Sequence, residues 1–171
     1  MRVAGFSTAF RTVLLPVITG LAASHPQVRV LIREHEPAEA LQLLATDRAD
    51  LALTYGYNLA PAVAGDPAIR SMPLWTARWA LGVPARETAA RGGTRDTTPE
   101  EFARFRAYDW IGNSRNTADE DVIRTVGPQV ELRAYAAARH GRLSWPPLAL
   151  VIRLLQRASR AATPSAEATF R

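Results

Sequence analysis

Cysteine and lysine are both absent from this 171-residue chain. Without cysteine the chain has no disulfide and no thiolate metal site. No apolar run reaches the roughly 20 residues that a membrane-spanning helix needs, and no secretory signal is visible at the N-terminus. The length suits one ordinary domain or two small lobes. These observations predict a soluble cytoplasmic protein with no membrane partner.

Charge is distributed unevenly along the chain, and all 21 basic residues are arginine. Up to Glu131 there are 14 Arg against 15 acidic residues, whereas from Leu132 onward there are 7 Arg against one acid. The net charge of +5 therefore belongs to the last forty residues. It does not by itself indicate a nucleic-acid partner. We expect these late arginines to be solvated, with DNA or an acidic membrane as the alternative contacts.

The first turn of the chain is a candidate ligand site. A short strand, Arg2–Phe6, runs into Ser7 and Thr8, and apolar residues at helical spacing follow. This pattern predicts a helix to Ser24, kinked or starting late at Pro16, with Ser7 or Thr8 as its N-cap. If such a cap faces a cleft, its free N–H groups and the helix dipole favour a carboxylate or phosphate. The alternative is that Ser7 only caps the helix.

The first third of the chain alternates strands with helices. Val28–Ile32 is nearly continuous in branched apolar residues, which is typical of a strand buried on both faces. Pro37 begins a second helix, and Asp50–Thr54 is a third strand. A β-α-β-α-β series predicts a parallel sheet with right-handed crossovers.

Residues 69–126 contain further strands and helices. The predicted elements are strands at Ile69–Thr76, Arg78–Val83 and Tyr108–Ile111, an exposed turn at Glu87–Thr98, and helices starting at Thr98-Pro99 and Thr117. Gly112–Ser114, between the last strand and the last helix, repeats the polar turn of Ser7-Thr8.

After Val126 the pattern degrades. Glu131–Arg139 predicts a short Ala-rich helix, and Leu148–Ser159 predicts an amphipathic helix. Thr163–Arg171 is low in apolar content and is expected to be disordered.

In their order, these features resemble the effector-binding (substrate-binding) domain of LysR-type transcriptional regulators. The resemblance covers residues 1 to about 126. It rests on Arg2–Thr8, Leu14-Leu15-Pro16, His25–Val30, the "DLAI"-like Asp50–Leu53, Pro73-Leu74-Trp75, Ala80–Pro84, Thr98–Phe105 and Asp109–Ile111.

The resemblance implies an α/β fold of the two-lobe, periplasmic-binding-protein-like (type II) kind, with a small organic effector between the lobes. Residues 1–76 would form the first lobe and residues 77–126 part of the second. The implied effector contacts are Ser7, Thr8, Tyr55 and Gly56 on the first lobe, and Asn113 and Ser114 on the second. The effector is predicted to be a carboxylate, and no cofactor or metal is expected.

Two departures from the family accompany this resemblance. Residues 127–171 lack its late elements, so we expect an incomplete second lobe and a frameshifted, non-homologous or disordered tail. The family's helix-turn-helix does not precede residue 1, so the chain is expected to be a bacterial fragment that meets DNA only through a domain outside it. Side-by-side pairing into a homodimer is also implied.

Three functional classes share this architecture. The resemblance implies a non-catalytic effector sensor, and the alternative is a solute-binding protein of a transport system. An enzyme is a third reading, but Ser7 has no His–Asp partner at a recognised spacing. Glu34-His35-Glu36 cannot easily converge on one ligand, because adjacent strand positions point to opposite faces.

Overall fold

The computed structural model describes residues 1–58, 66–78, 84–90, 98–105 and 130–162. The strands are β1 (Arg2–Gly5), β2 (Leu31–Glu34), β3 (Leu51–Tyr57), β4 (Ile69–Arg78) and β5 (Glu131–Arg139). The helices are α1 (Ser7–Ala9), α2 (Leu15–Ser24), α3 (Pro37–Ala45), α4 (Ala85–Ala90), α5 (Pro99–Ala103) and α6 (Pro146–Ala162). The predicted Tyr108–Ile111 strand, the Thr117 helix and the disordered end lie outside the described residues.

The strands form one five-stranded sheet in the order β2-β1-β3-β5-β4. Strand β1 pairs in parallel with both β2 and β3, so that Ala4 lies opposite Arg33 on one side and Ala52 on the other. This confirms the predicted parallel β-α-β-α-β series. All seven residues of β3 are buried, which places the core of the sheet at β1 and β3.

A π-helical segment, Phe10–Leu14, joins α1 to α2. Pro16 lies just after this segment, as the second residue of α2. In a continuous α-helix its ring would crowd the carbonyl group of Thr12. The wider turn, in which the Leu15 N–H donates to the Phe10 carbonyl, accommodates the ring. The helix begins at Ser7 rather than late at Pro16, and the irregularity takes the form of a π segment just before the proline.

The predicted N-cap is wrong. The extended residue before α1 is Phe6, with φ −92° and ψ 151°, and it makes no side-chain cap hydrogen bond. Ser7 already has helical geometry, so neither hydroxyl occupies the capping position.

The continuous helical span Ser7–Ser24 is the one segment of the described residues with the length and hydropathy to cross a membrane. A buried core helix passes the same test of 18 residues at a mean hydropathy of 1.2. Here Val13, Leu14 and Leu21 are at most 1% exposed, so these side chains lie in the core of the α/β fold.

Two strand assignments differ from the sequence prediction. β2 begins at Leu31 rather than Val28, and all four of its residues are exposed, because it is the edge strand of the sheet. Glu131–Arg139 is a strand rather than a helix, and it lies between β3 and β4. There Ala134, Ala136, Ala137 and Ala138 are at most 1% exposed. Packing in the sheet interior has overridden alanine's helix propensity.

The remaining helices agree with the sequence in part. Part of the predicted exposed turn, Glu87–Thr98, is instead helical, in α4. The helix predicted to start at Thr98-Pro99 is confirmed as α5, with Phe102 buried. The amphipathic helix predicted at Leu148–Ser159 is confirmed and extended, as α6.

Contacts divide the chain into two compact units. The first comprises Met1–Gly56, Pro61–Thr76 and Arg133–Arg171, and the second comprises Tyr57–Ala60 and Ala77–Leu132. Within the second unit, the Asn58 N–H donates to the Glu131 carbonyl at 3.1 Å. The predicted lobe boundaries and the origin of residues 127–171 stay predictions.

Candidate functional site

Three parallel strands end at one edge of the sheet, called here the carboxyl edge. Phe6 and Ser7 follow β1, and His35 and Glu36 follow β2. Tyr55 is the third residue from the end of β3. The His35 N–H donates to the Gly5 carbonyl at 2.8 Å, which ties the ends of β2 and β1 together. In open α/β sheets, ligands bind just beyond the carboxyl ends of the strands.

Ser7 and Thr8 form the first turn of the helix at this edge. Ser7 is half-buried and Thr8 is exposed. Neither hydroxyl is seen to hydrogen-bond within the part of the chain that the structure describes. The first N–H groups of a helix lack intrahelical acceptors, and Phe6 provides no side-chain acceptor for them. The turn therefore presents both hydroxyl groups and backbone donors.

Tyr55 joins this turn to the neighbouring strand ends. Its hydroxyl donates to Glu36 Oε2 at 2.9 Å, and its side chain is 9% exposed. Its ring meets the Phe6 ring edge-on, with centroids 4.8 Å apart. Phe6 in turn lies 6.3 Å from the half-buried Trp75 of β4, centroid to centroid. Phe6, which contacts both other rings, directly precedes Ser7, so the aromatic group adjoins the first helical turn.

Four of the six predicted effector contacts are described, and all four lie at the carboxyl edge: Ser7, Thr8, Tyr55 and Gly56. Asn113 and Ser114 lie outside the described residues. Sequence reasoning missed Glu36 and the ring of Trp75. Glu36 carried a usable signal, because it follows β2 as Ser7 follows β1 and so belongs to the same edge. The carboxyl-edge cluster below means Phe6, Ser7, Thr8, Glu36, Tyr55 and Trp75.

Gly5 allows β1 to approach β3 closely just before this cluster. A Cβ atom at position 5 would lie 2.6 Å from the Leu53 carbonyl oxygen and 2.7 Å from Leu53 Cβ. Both neighbours belong to a buried strand, so a larger residue would push the strand ends apart. The chain can bring Phe6 against Tyr55 because residue 5 has no side chain.

The opposite edge of the same strands, called here the amino edge, is ionic. Asp50, which is 6% exposed, accepts hydrogen bonds from Arg2 Nη2 at 2.8 Å, Arg2 Nε at 3.2 Å and the Arg2 N–H at 2.7 Å. These bonds hold the pKa of the Asp50 carboxyl below its usual range, against the opposing effect of burial. The same interaction raises the pKa of the Arg2 guanidinium.

Asp47 extends the ionic network at the amino edge. It has a left-handed backbone, with φ 58°, which aspartate tolerates better than most residues. Its carboxylate accepts a hydrogen bond from Arg139 Nη2 and lies 3.3 Å from Arg142 Nη2 and 3.7 Å from Arg2 Nη2. The residues that end β5 are thereby joined to the loop before β3.

Acid–base and metal chemistry find little support in the described residues. His35 Nδ1 lies 3.1 Å from Glu39 Oε2, one helical turn away, rather than converging with Glu34 or Glu36. No group of three His, Cys, Asp or Glu side chains in the described ranges is arranged to hold a metal ion.

Several solved structures share this fold. The regulatory domain of MetR, a LysR family regulator from N. meningitidis, matches with a TM-score of 0.61 at 17% identity, over 96% of this chain and 95% of that one. Full-length CbnR, solved with its target DNA, matches with a TM-score of 0.64 at 13% identity, over 94% and 70%. Full-length BenM carrying E226K matches with a TM-score of 0.65 at 12% identity, over 98% and 70%.

Sequence comparison narrows the fold to one family. No curated protein sequence matches the chain. The family model described as "LysR substrate binding domain" matches residues 1–143, which includes β5 and so extends past Val126. The mixed α/β architecture is that of the periplasmic-binding-protein-like type II fold. The chain therefore belongs to the LysR substrate-binding domain family.

Proposed function

We propose that this chain is the effector-sensing domain of a LysR-type transcriptional regulator, that it binds a small organic carboxylate at the carboxyl-edge cluster, and that it is not catalytic. One observation carries the proposal. The hydroxyls of Ser7 and Thr8 lie in the first turn of a helix whose N-cap residue, Phe6, makes no side-chain cap, and they make no hydrogen bond to the described residues.

The cluster offers complementary groups to such an effector. A carboxylate would accept hydrogen bonds from the Ser7 and Thr8 hydroxyls and from the N–H groups of the first turn. The half-buried ring of Trp75 would cover an apolar portion of the molecule. Glu36 already accepts the Tyr55 hydroxyl, so it would favour an effector that also carries a hydrogen-bond donor. Asn113 and Ser114 are proposed to complete the site from the second lobe.

Regulation would follow from a shift of population. An effector that binds the closed arrangement of the lobes more tightly than the open one favours closure. Closure would then alter the homodimer or tetramer geometry that a helix-turn-helix domain, outside this chain, presents to DNA. Such a sensor would work in the cytoplasm, where the regulated DNA is.

Calorimetry with a panel of small carboxylates tests the site. The intact chain should bind at least one acid, and Ser7→Ala or Thr8→Ala should weaken binding by about tenfold, because each removes a hydrogen bond to a charged group. Thr12→Ala is the matched control, since Thr12 is an exposed threonine of the same helical span. An acid whose affinity ignores both Ser7→Ala and Thr8→Ala would overturn the proposed site.

A further inference from the structure

Helix α6 divides sharply into an apolar face and an arginine face. Its buried side chains are Leu148, Val151, Ile152, Leu155 and Ser159. On the opposite side Arg153, Arg157 and Arg160 are all exposed. These three form the arginine face of α6.

The three arginines align because they are spaced by four and three residues. At 100° per residue they fall within a sector of about 60°, and at 1.5 Å per residue they span about 10.5 Å of the helix. Neighbours at these spacings lie on one side of a helix. The arginine face is therefore a continuous row of charge rather than a scatter around the helix.

Among the described residues, no acidic side chain pairs with this row, unlike the arginines of the amino edge. Arg2, Arg139 and Arg142 all meet Asp47. By contrast, the 17 residues of α6 contain no Asp or Glu. None of the ion pairs found among the described residues involves Arg153, Arg157 or Arg160. The burial of the apolar face orders the helix, so the row is held in place without an acidic partner in the described part of the chain.

We propose that the arginine face of α6 binds the sugar–phosphate backbone of duplex DNA without reading sequence. One strand places a phosphate about every 3.4 Å along the duplex axis, so 10.5 Å spans about three phosphates. Guanidinium groups pair with phosphate oxygens in bidentate geometry, which ammonium groups do not. Backbone contacts of this kind fix orientation and carry no base information.

The choice of DNA over a lipid surface follows from the packing of α6. An amphipathic helix binds a membrane by inserting its apolar face among the lipids. In α6, Leu148, Val151 and Leu155 are 0% exposed, so that face is already committed to the protein core. The inference rests on the proposed function, because a regulator anchored to DNA by another domain holds this face near the duplex at high effective concentration.

Binding of the chain to a fluorescent duplex of arbitrary sequence, followed by anisotropy over a series of salt concentrations, tests the inference. The variant R153Q/R157Q/R160Q should make the slope of log K against log salt shallower by about 2.7, since each phosphate contact contributes about 0.9. Its affinity at low salt should fall at least about tenfold. Glutamine keeps a good helix propensity, so α6 should persist, as circular dichroism would confirm.

The variant R29Q/R48Q/R70Q is the matched control, because it removes the same charge from three other exposed arginines. It should leave the salt slope nearly unchanged. An intact chain that fails to bind DNA at low salt would overturn the inference, as would equal losses in the two triple variants. Binding to vesicles rich in anionic lipid that R153Q/R157Q/R160Q abolishes, with DNA binding intact, would reassign the face to a membrane.

The two proposals fail separately. Effector calorimetry should not respond to R153Q/R157Q/R160Q, and DNA anisotropy should not respond to Ser7→Ala. If the chain binds DNA through α6 but binds no carboxylate, the proposed effector site is refuted and the proposed DNA contact of the arginine face is retained.

Discussion

The two edges of the same parallel strands are built from different chemistry. At the amino edge, Arg2 and Asp50 satisfy each other through three hydrogen bonds, and Asp47 gathers further arginines. In the carboxyl-edge cluster every side chain except Glu36 is aromatic or hydroxyl-bearing, and the hydroxyls of Ser7 and Thr8 are not used for capping.

The difference separates groups that hold the fold from groups that can meet a ligand. Charges that are mutually paired have little left to offer an effector. Hydroxyls and N–H groups without internal partners are costly to leave unsatisfied unless water or a ligand reaches them. The amino edge is accordingly structural, and the carboxyl edge is the candidate for binding.

A side chain at position 5, which would push β1 away from β3, should have the largest effect on stability. Gly5→Ala places a methyl group within 2.7 Å of both Leu53 Cβ and the Leu53 carbonyl oxygen, so we expect a loss of about 3 kcal/mol in the free energy of unfolding. Urea titration measures it. Gly20→Ala is the control, because nothing lies within 4 Å of its added Cβ, and it should stabilise the helix by up to about 1 kcal/mol. Equal effects of the two changes would refute the close approach at Gly5.

Removing the buried charge of Asp50 at the amino edge should have the second largest effect on stability. Asp50→Asn should lower the free energy of unfolding at pH 7 by about 2 kcal/mol, a value that allows for screening because the Arg2 side chain is 42% exposed. Urea titration again provides the measurement, and carboxylate binding at the opposite edge should be unaffected.

The same variant has a defined pH dependence. Because folding lowers the pKa of Asp50, its contribution is complete above the usual carboxyl value of about 3.9 and is lost as pH falls through the lower folded value. The stability gap between parent and Asp50→Asn should therefore close below about pH 4. A gap that stays constant down to pH 2 would contradict the ion pair.

The link between Tyr55 and Glu36 should have a smaller effect. Tyr55→Phe keeps the ring contact with Phe6 but removes the hydroxyl that donates to Glu36, so we expect a loss of about 1 kcal/mol in thermal or urea unfolding. Glu36→Gln retains an acceptor and should cost less. A Tyr55→Phe variant as stable as the parent would show that the hydroxyl does not hold the cluster together.

The exposed ion-pair network around Asp47 should contribute least to the free energy of unfolding. Asp47→Asn removes the charge but keeps a residue that tolerates the left-handed backbone at φ 58°. The expected loss is about 0.5 kcal/mol at low salt, and it should fade towards 1 M salt as screening increases. A loss that is insensitive to salt would mean that Asp47 acts through geometry rather than charge.

The elements that sequence predicts well are those whose local pattern agrees with their place in the sheet. Apolar spacing and proline positions predict the parallel series through β3 and helix α6, and they indicate an irregular helix near Pro16. Predictions failed where tertiary position decides. Ala136 and its neighbours favour a helix locally, yet they form a strand between β3 and β4.

The sequence predicts only those residues of the candidate site whose positions follow from the local pattern. The sequence identifies Tyr55 because it directly follows the predicted strand Asp50–Thr54, and Ser7 because it follows the predicted strand Arg2–Phe6. The contact of Trp75 with Phe6 depends instead on where β4 lies in the sheet. The capping role of Ser7 was predicted wrongly, because the helix begins one residue earlier than expected, with Phe6 at the boundary. A shift of one residue is beyond the resolution of cap patterns.

The most direct test of the difference between the two edges is an NMR titration. The isotope-labelled chain is titrated with a carboxylate that binds in calorimetry, and the shifts of its amide signals are followed. We expect the amide signals of Ser7, Thr8, Tyr55 and Gly56 to shift and those of Arg2, Asp47 and Asp50 to stay in place. Shifts that concentrate at the amino-edge residues and leave Ser7 and Thr8 unchanged would contradict it.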